Sequence, residues 1–179
     1  MVNFQLDEMQ VMLRELAHDF AVDEIRPNAE HWDTNSQYPK EAIQAAHEMG
    51  LLNLHIPEDY GGPGLGTFEE VLVNEELAWG DPGFATAAYA TSLACAPIIT
   101  GATEEQKQKW LRKVSEDGAL ASYGVTEPGA GSDLAACKTT AIRDGDEYVI
   151  NGSKMFITGA GYADFFFILA KTDPNAGYK

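Results

Sequence analysis

The residue types that could do chemistry are concentrated in one loop, Tyr123–Asp133, whose sequence is YGVTEPGAGSD. It lies where sequence typical of helices gives way to sequence typical of strands. Glycine lets a chain turn without a Cβ in the way, so such a loop exposes its backbone N–H groups. Consecutive N–H groups in a turn suit phosphate oxygens. The loop therefore predicts a phosphate-binding site.

A second segment, Lys154–Gly159, places an aromatic ring and a hydroxyl two residues apart. On a predicted strand, Phe156 and Thr158 share one face, where they could stack on and hydrogen-bond a flat ring. Together the two segments predict a dinucleotide with a large flat head group. Gly129 and Gly131 do not form a Rossmann fingerprint, because the third glycine and the surrounding β-α-β unit are missing. Taken on these residues alone, the loop is better interpreted as a domain linker rich in turn residues.

YGVTEPGAGSD followed by NGSKMFIT resembles the flavin-binding signature of the acyl-CoA dehydrogenases. The stretches GLLNLHIPEDYGGPGLGTFEE, EELAWG and TEEQKQKWL resemble the medium-chain members most. The resemblance runs through nearly the whole chain and implies FAD as the cofactor. It is highly specific for the family and much less specific for the substrate.

The resemblance implies a set of FAD-contacting residues in the two segments: Tyr123, Val125, Thr126, Gly131, Ser132, Phe156, Ile157 and Thr158. Gly131 and Ser132 would approach the pyrophosphate, and Ser132 would also touch the acyl-CoA. Phe156 stands where a tryptophan is common; it supplies a flat face but lacks the indole N–H. Thr158 would hydrogen-bond near the reactive flavin nitrogen and tune hydride acceptance, although an ordinary strand threonine is the alternative.

The same resemblance implies that the predicted helix Phe84–Thr100 lines a fatty acyl cavity. Ala85, Tyr89 and Leu93 recur every four residues and so share a helix face. Many medium-chain enzymes carry a glutamate where Tyr89 stands. The bulkier tyrosine would shorten or reshape the pocket, and plain helix packing is an equally good reason for its presence.

The implied reaction is α,β-dehydrogenation of a fatty acyl-CoA thioester, with hydride transfer to FAD and electrons passed to an electron-transfer flavoprotein. The family's catalytic glutamate lies in a C-terminal helical bundle, through which members usually form tetramers. No residue here matches that glutamate, so no catalytic residue is expected in this chain. We expect the 179-residue chain alone to be inactive and to bind FAD weakly or not at all.

Hydrophobic periodicity predicts an α+β fold, with an N-terminal all-α domain over residues 1–120 and the start of an antiparallel β-sheet or β-barrel domain over residues 121–179. An apolar stripe predicts a first helix from Leu6 to Phe20, which Pro27 then breaks or kinks. Asp81 is predicted to cap the next apolar helix. Capping boxes are predicted at two further helix starts, Thr67 with Glu70 and Thr103 with Gln106.

After Gly118 the apolar period shortens toward that of strands. Residues 139–143 and 147–150 predict a hairpin around Asp144-Gly145, and Asn151-Gly152 predicts a second turn before a strand at Lys154–Thr158. A fourth strand is predicted within Asp164–Lys171, and Thr172–Lys179 is predicted to be a loop. These strands would form a meander.

Composition excludes several function classes. The formal net charge of −16 argues against nucleic-acid binding. Two separated cysteines fit a reducing compartment, and the four histidines have no metal-ligand spacing. With no targeting segment and no apolar run judged long enough for a bilayer, a cytoplasmic protein or a processed mitochondrial-matrix protein is expected.

Two alternatives to a dehydrogenase remain open. An acyl-CoA oxidase or a flavin monooxygenase would use the same scaffold, and oxygen consumption would distinguish either from a dehydrogenase. A non-catalytic helical module that has lost its cofactor would show no flavin absorbance after purification.

Overall fold

Helices come first in the chain and two small sheets follow, in a computed structural model that describes residues 5–173. This order confirms the expected α+β class. Residues 174–179, within the predicted C-terminal loop, lie outside the described residues. The α-helices of the described part are α1 Glu8–Phe20, α2 Arg26–Thr34, α3 Lys40–Glu48, α4 Thr67–Gly80, α5 Pro82–Gly101 and α6 Glu104–Asp117.

Local hydrogen bonds begin the helices that position the site. The Asp81 carboxylate accepts from Phe84 N at 2.6 Å, which confirms Asp81 as the cap of α5. The capping box of Thr103 and Gln106 at the start of α6 is also confirmed. At α4 the predicted box is wrong: Gly66 is the cap, and its N–H donates to Glu69 Oε2 at 3.1 Å. Glu70 points inward instead, where its carboxylate meets His55.

The first helix does not break at Pro27. A π-helical turn, Ala21–Ile25, joins α1 to α2, and Pro27 lies in the first turn of α2. A proline is tolerated there because its missing N–H would have no partner within the helix. The α-helical hydrogen-bond pattern is therefore interrupted by the π-helical turn that precedes the proline, and not by the proline itself.

Helix α5 runs through the core and carries the face that lines the site. Half of its residues are buried, Phe84, Cys95 and Ile98 among them, whereas Tyr89 and Leu93 remain exposed. By length and composition this helix could cross a membrane, since its most apolar 18-residue stretch has a mean hydropathy of 1.3. Half of that stretch is buried inside the protein. The expectation that no apolar run is long enough is thus wrong for α5. Its contacts with α4, α6 and the first strand are those of a core helix.

The strands form two pairs, and the predicted meander is wrong. An unanticipated strand, β1 Ala121–Gly124, pairs in parallel with β4 Phe165–Ile168. The predicted hairpin is confirmed as β2 Thr140–Asp144 and β3 Glu147–Asn151, which are antiparallel. A single bridge from Thr140 to Lys171 joins the two pairs.

The segment predicted as the third strand, Lys154–Thr158, is not a strand. Phe156 has a φ of 58°, which is incompatible with the extended backbone of a β-strand. Met155 N instead donates to Thr126 O at 3.0 Å, which places this segment against the glycine-rich loop. Asn151-Gly152 is therefore not a hairpin turn. Gly152 packs so closely on Thr139 that a Cβ would lie 2.2 Å from its Oγ1.

One buried carboxylate, that of Glu127, holds these segments together. Its oxygens accept from Lys138 N at 2.7 Å, from Thr139 N at 2.9 Å and from the Thr139 hydroxyl. Cys137 Sγ donates to it at 3.0 Å and Lys154 Nζ at 2.9 Å. Only 6% of the Glu127 side chain and 10% of the Lys154 side chain are exposed. The loop, the start of β2 and the 154–158 segment thus meet at one group.

Hydrogen bonds from Cys137 and Thr139, then from Lys138 N and Lys154, hold the pKa of Glu127 well below its usual value. Each of these donors favours the ionised carboxylate. Lys154 Nζ also donates to Val125 O at 2.9 Å. The lysine therefore neutralises the buried charge and fastens the glycine-rich loop at the same time.

Gly152→Ala should lower the free energy of unfolding by about 1–3 kcal/mol, because the new methyl group would meet Thr139 Oγ1 and, at 2.7 Å, Thr139 Cα. Gly161→Ala is the matched control, since nothing lies within 4 Å of the Cβ it would add. Urea unfolding of both variants measures the difference. Equal midpoints would contradict the close approach of Gly152 to Thr139.

Glu127→Gln should destabilise the protein at neutral pH by roughly 3 kcal/mol, because a buried Lys154 loses its charged partner. The pKa of Glu127 is lower in the folded protein than in the unfolded chain. The ionised carboxylate therefore stabilises the fold at pH values above the pKa of the unfolded chain. This stabilisation is lost as the pH falls from that pKa towards the lower pKa of the folded protein. The gap between the unmodified protein and Glu127→Gln should therefore narrow below about pH 4. Urea midpoints measured against pH, with exposed Glu147→Gln as the control, test this. A gap that is independent of pH would contradict the role given to the Glu127 charge.

Candidate functional site

A cavity of about 430 Å³ lies where α5 faces the end of β1 and the 154–158 segment. Its size falls within the usual range for small-molecule sites. It is lined by Thr86, Tyr89, Ala90, Leu93, Tyr123, Val125, Thr126, Phe156 and Thr158. The cavity thus unites most of the residues expected to contact FAD with two of those expected to contact the acyl chain.

The walls of this cavity are fixed by hydrogen bonds between elements that are distant in sequence. Thr91 Oγ1, on α5, accepts from Ala121 N at 3.0 Å and so ties β1 to the helix. Ser122 Oγ donates to Thr158 O at 2.8 Å, which ties the 154–158 segment to β1. The two donors, Ala121 N and Ser122 Oγ, belong to buried residues, and these bonds satisfy polar groups that would otherwise lack a partner. The residues that line the cavity on β1 and on the 154–158 segment are therefore placed by the core of the fold.

Phe156 is the most unusual residue of the cavity. The residue is 84% exposed and its backbone is left-handed. A bulky residue with positive φ carries strain, and strained residues cluster at functional sites. An exposed aromatic face at the rim of a cavity offers a stacking surface for a planar ring. Phe156 and Thr158 line the same cavity although they do not share a strand, and their joint contact with a flavin stays a prediction.

Gly131, Ser132 and Ile157 do not line the cavity. Gly131 and Ser132 are exposed beyond a tight turn in which Glu127 and Ala130 exchange backbone hydrogen bonds of 2.9 and 3.1 Å. Nothing lies within 4 Å of where a Cβ of Gly129 or Gly131 would stand. The turn therefore leaves open space for a ligand to approach, and contact of Gly131 and Ser132 with a pyrophosphate stays a prediction.

A second cavity, of about 370 Å³, lies between α4 and α5 and shares Thr86 and Tyr89 with the first. Ala85, the remaining residue of the predicted acyl-facing set, lines this second cavity. Burial, together with the nearby charge of Glu70, raises the pKa of the Tyr89 hydroxyl. Tyr89 thus lines two neighbouring cavities and shares the second with the carboxylate of Glu70.

The described residues fit a flavin better than a metal ion. Residues 5–173 contain no group of three or more histidine, cysteine, aspartate or glutamate side chains that could hold a metal. Cys95 and Cys137 are free and buried, and burial raises the pKa of the Cys95 thiol to about 12. The exposed ring of Phe156, the Thr158 side chain and the open turn are the features that a flavin dinucleotide would use.

Sequence reasoning missed the residues that position this site. Glu127 and Lys154 are separated by 27 residues, and Thr91 is 30 residues from Ala121. No local pattern indicates such partners. The one available signal was that Glu127 is the only charged residue between Gly124 and Ser132, because a carboxylate there is expensive to bury without a cation.

Family models and solved structures match the chain along nearly its whole length. The acyl-CoA dehydrogenase N-terminal domain matches residues 7–117, and the acyl-CoA dehydrogenase middle domain matches residues 122–179. A probable medium-chain specific acyl-CoA dehydrogenase of Caenorhabditis briggsae is 45% identical over 97% of this chain and 43% of its own length. The chain therefore spans about half the length of the relatives it matches.

Two solved structures agree with this fold. Butyryl-CoA dehydrogenase from Megasphaera elsdenii superposes with a TM-score of 0.90 at 37% identity, over 98% of this chain and 47% of that one. An acyl-CoA dehydrogenase of Bacillus anthracis, solved in complex with FAD, superposes with a TM-score of 0.88 at 34% identity, over 97% of this chain and 30% of that one. By its sequence, its fold and its cavity, the chain belongs to the acyl-CoA dehydrogenase family of flavoprotein oxidoreductases.

Proposed function

We propose that this chain is the N-terminal part of a flavin-dependent acyl-CoA dehydrogenase that removes hydrogen from the α and β carbons of a fatty acyl-CoA thioester. The observation that carries the proposal is the single cavity in which the flavin-signature residues face α5. A flavin ring and an acyl chain that share one cavity can exchange a hydride. Hydrogen bonds of the core hold two of the elements that line this cavity, β1 and the 154–158 segment.

FAD, when bound, supplies the hydride acceptor. Phe156 would cover one face of its ring, because that side chain is exposed at the cavity rim. Val125 and Thr126 would lie at the ring edge, and Thr158 would hydrogen-bond close to the reactive nitrogen. Ser122 and the Glu127–Lys154 pair would keep these residues in place, since they fix the backbone on both sides of Phe156.

The acyl chain would lie along α5. Tyr89 and Leu93 face the first cavity and Ala85 the second, so a chain passing from one to the other would follow one helix face. Apolar side chains there exclude water from the reacting carbons. Such exclusion strengthens the hydrogen bonds that stabilise a developing enolate.

The carboxylate that removes the α-proton is assigned to sequence outside residues 1–179, because no residue here matches the family's catalytic glutamate. We accordingly expect the isolated 179-residue chain to be inactive. The proposed electron acceptor is an electron-transfer flavoprotein and the proposed assembly is a homotetramer. A cytoplasmic location, or the mitochondrial matrix after processing, is proposed for the same protein.

The protein expressed from its complete reading frame should carry a flavin whose visible absorbance bleaches when a fatty acyl-CoA is added anaerobically. Bleaching reports hydride transfer directly, without an electron acceptor. Rapid reoxidation in air, with oxygen consumed during turnover, would indicate an oxidase. A purified protein without flavin absorbance, and unable to take up added FAD, would refute the proposal.

Phe156→Ala should weaken FAD binding roughly tenfold, because a stacking surface worth about 1–1.5 kcal/mol is lost. Phe156→Trp should retain the affinity, since the indole offers an equal or larger face. Tyr148→Ala removes an aromatic ring that is also exposed, on β3 away from the cavity, and is the matched control. The three variants are made in the protein expressed from its complete reading frame. Titration of each apoprotein with FAD, followed by flavin fluorescence, measures the affinity. Equal affinity in Phe156→Ala would exclude Phe156 as the stacking residue.

A further inference from the structure

The cavity between α4 and α5 has a carboxylate in its lining. Glu70 lines it with a side chain that is only 9% exposed, and Glu70 Oε1 lies 2.6 Å from His55 Nδ1. With Nδ1 donating this hydrogen bond, Oε1 is occupied. Glu70 Oε2 accepts no hydrogen bond from residues 5–173. Within that part of the chain, the atom that is both buried and without a partner is His55 Nε2 and not Glu70 Oε2, so Oε2 is not sealed off from solvent. One carboxylate oxygen is therefore available to whatever enters the cavity.

Tyr89 brings a second polar group to the same place. It lines both cavities, and its hydroxyl has no hydrogen-bond partner within the described part of the chain. Tyr89 and Glu70 line the same cavity, and burial together with the charge of Glu70 raises the pKa of the Tyr89 hydroxyl. Asn74 also lines this cavity, and its Nδ2 is held by Glu70 O at 2.9 Å. A cavity whose lining is otherwise mostly apolar thus contains two polar groups, the Glu70 carboxylate and the Tyr89 hydroxyl, that can accept hydrogen bonds.

A carboxylate that faces a methyl group loses hydration and gains nothing in return. A hydroxyl or an ammonium group at the same place would restore the missing hydrogen bond, and a bond to a charged acceptor is among the stronger ones. Building on the proposed function, we propose that the second cavity selects acyl-CoA thioesters whose distal end carries a hydrogen-bond donor, a hydroxyl or an ammonium group, which Glu70 Oε2 and Tyr89 bind.

Helix α4 supplies a matched control for Glu70. Glu76 lies on the same helix, and its Oε2 also meets a histidine nitrogen, His18 Nδ1, at 2.8 Å. Glu76 does not line the second cavity. Changing each glutamate to glutamine therefore removes one histidine-paired carboxylate from α4, and only one of the two changes alters the cavity.

Glu70→Gln should keep the bond from His55, because the amide oxygen can accept it. The amide NH₂ would then face the cavity and present a donor in place of an acceptor. An ammonium group cannot accept a hydrogen bond, so its recognition should be lost, whereas a hydroxyl can accept and should be affected less. The two donor classes are thereby distinguished. Tyr89→Phe removes the second polar group without changing the ring.

The test uses the FAD-loaded protein expressed from its complete reading frame and measures kcat/KM for acyl-CoA thioesters of equal length that end in a methyl, a hydroxyl or an ammonium group. The unmodified protein should prefer one donor-ended series over the methyl-ended series by about tenfold or more, as expected for a hydrogen bond to a charged group. Glu70→Gln should abolish the preference if it is for ammonium, or reduce it if it is for hydroxyl. Tyr89→Phe should reduce it, and Glu76→Gln should leave it unchanged.

A methyl-ended chain that is oxidised as well as its donor-ended counterparts would overturn this inference while leaving the proposed dehydrogenase intact. A donor preference that survives both Glu70→Gln and Tyr89→Phe would also overturn it. If none of the thioesters bleaches the flavin, the proposed function itself fails and the inference with it. Flavin content and urea midpoints, measured for each variant, show whether a lost preference reflects the cavity or a damaged fold.

Discussion

The arrangement of the candidate site depends on one buried ion pair, Glu127 with Lys154. A carboxylate taken out of water is tolerated only when nearly every lone pair finds a donor, and Glu127 finds its donors on two other segments, residues 137–139 and Lys154. Each donor is thereby fixed in position relative to the others. The glycine-rich loop can then be open at its turn and firmly held at its base, which suits a loop that must admit a ligand without moving.

This constraint also explains why the 154–158 segment needs no regular structure. Lys154 reaches Glu127 and Val125 O, Met155 N reaches Thr126 O, and Thr158 O is held by Ser122. Three anchored residues of the five, on both sides of Phe156, hold this segment in place while Phe156 adopts an unusual backbone conformation. Strain at one residue persists where its neighbours are over-determined, and the ion pair supplies much of that determination.

Local signals in the sequence predicted local structure well. The helix caps at Asp81 and Thr103 and the β2–β3 hairpin are encoded by neighbouring residues and were predicted correctly. The parallel pairing of β1 with β4 joins strands about 40 residues apart, and no periodicity indicates such a partner. Glu70 was misassigned for a related reason, since a capping box and a buried ion pair use the same residue type, and only the fold shows His55 beside it. The cavity residues were found through the family resemblance, because residue types alone favoured a linker.

The left-handed backbone of Phe156 has a consequence for how this position can vary. A non-glycine residue in that conformation costs about 1–2 kcal/mol, and the ring recovers nothing from the protein because it is almost fully exposed. Glycine or asparagine would make the fold more stable and leave the cavity without its aromatic face. Selection for stability and selection for the ring therefore act on this position in opposite directions. Stability alone therefore does not account for an aromatic residue at this position.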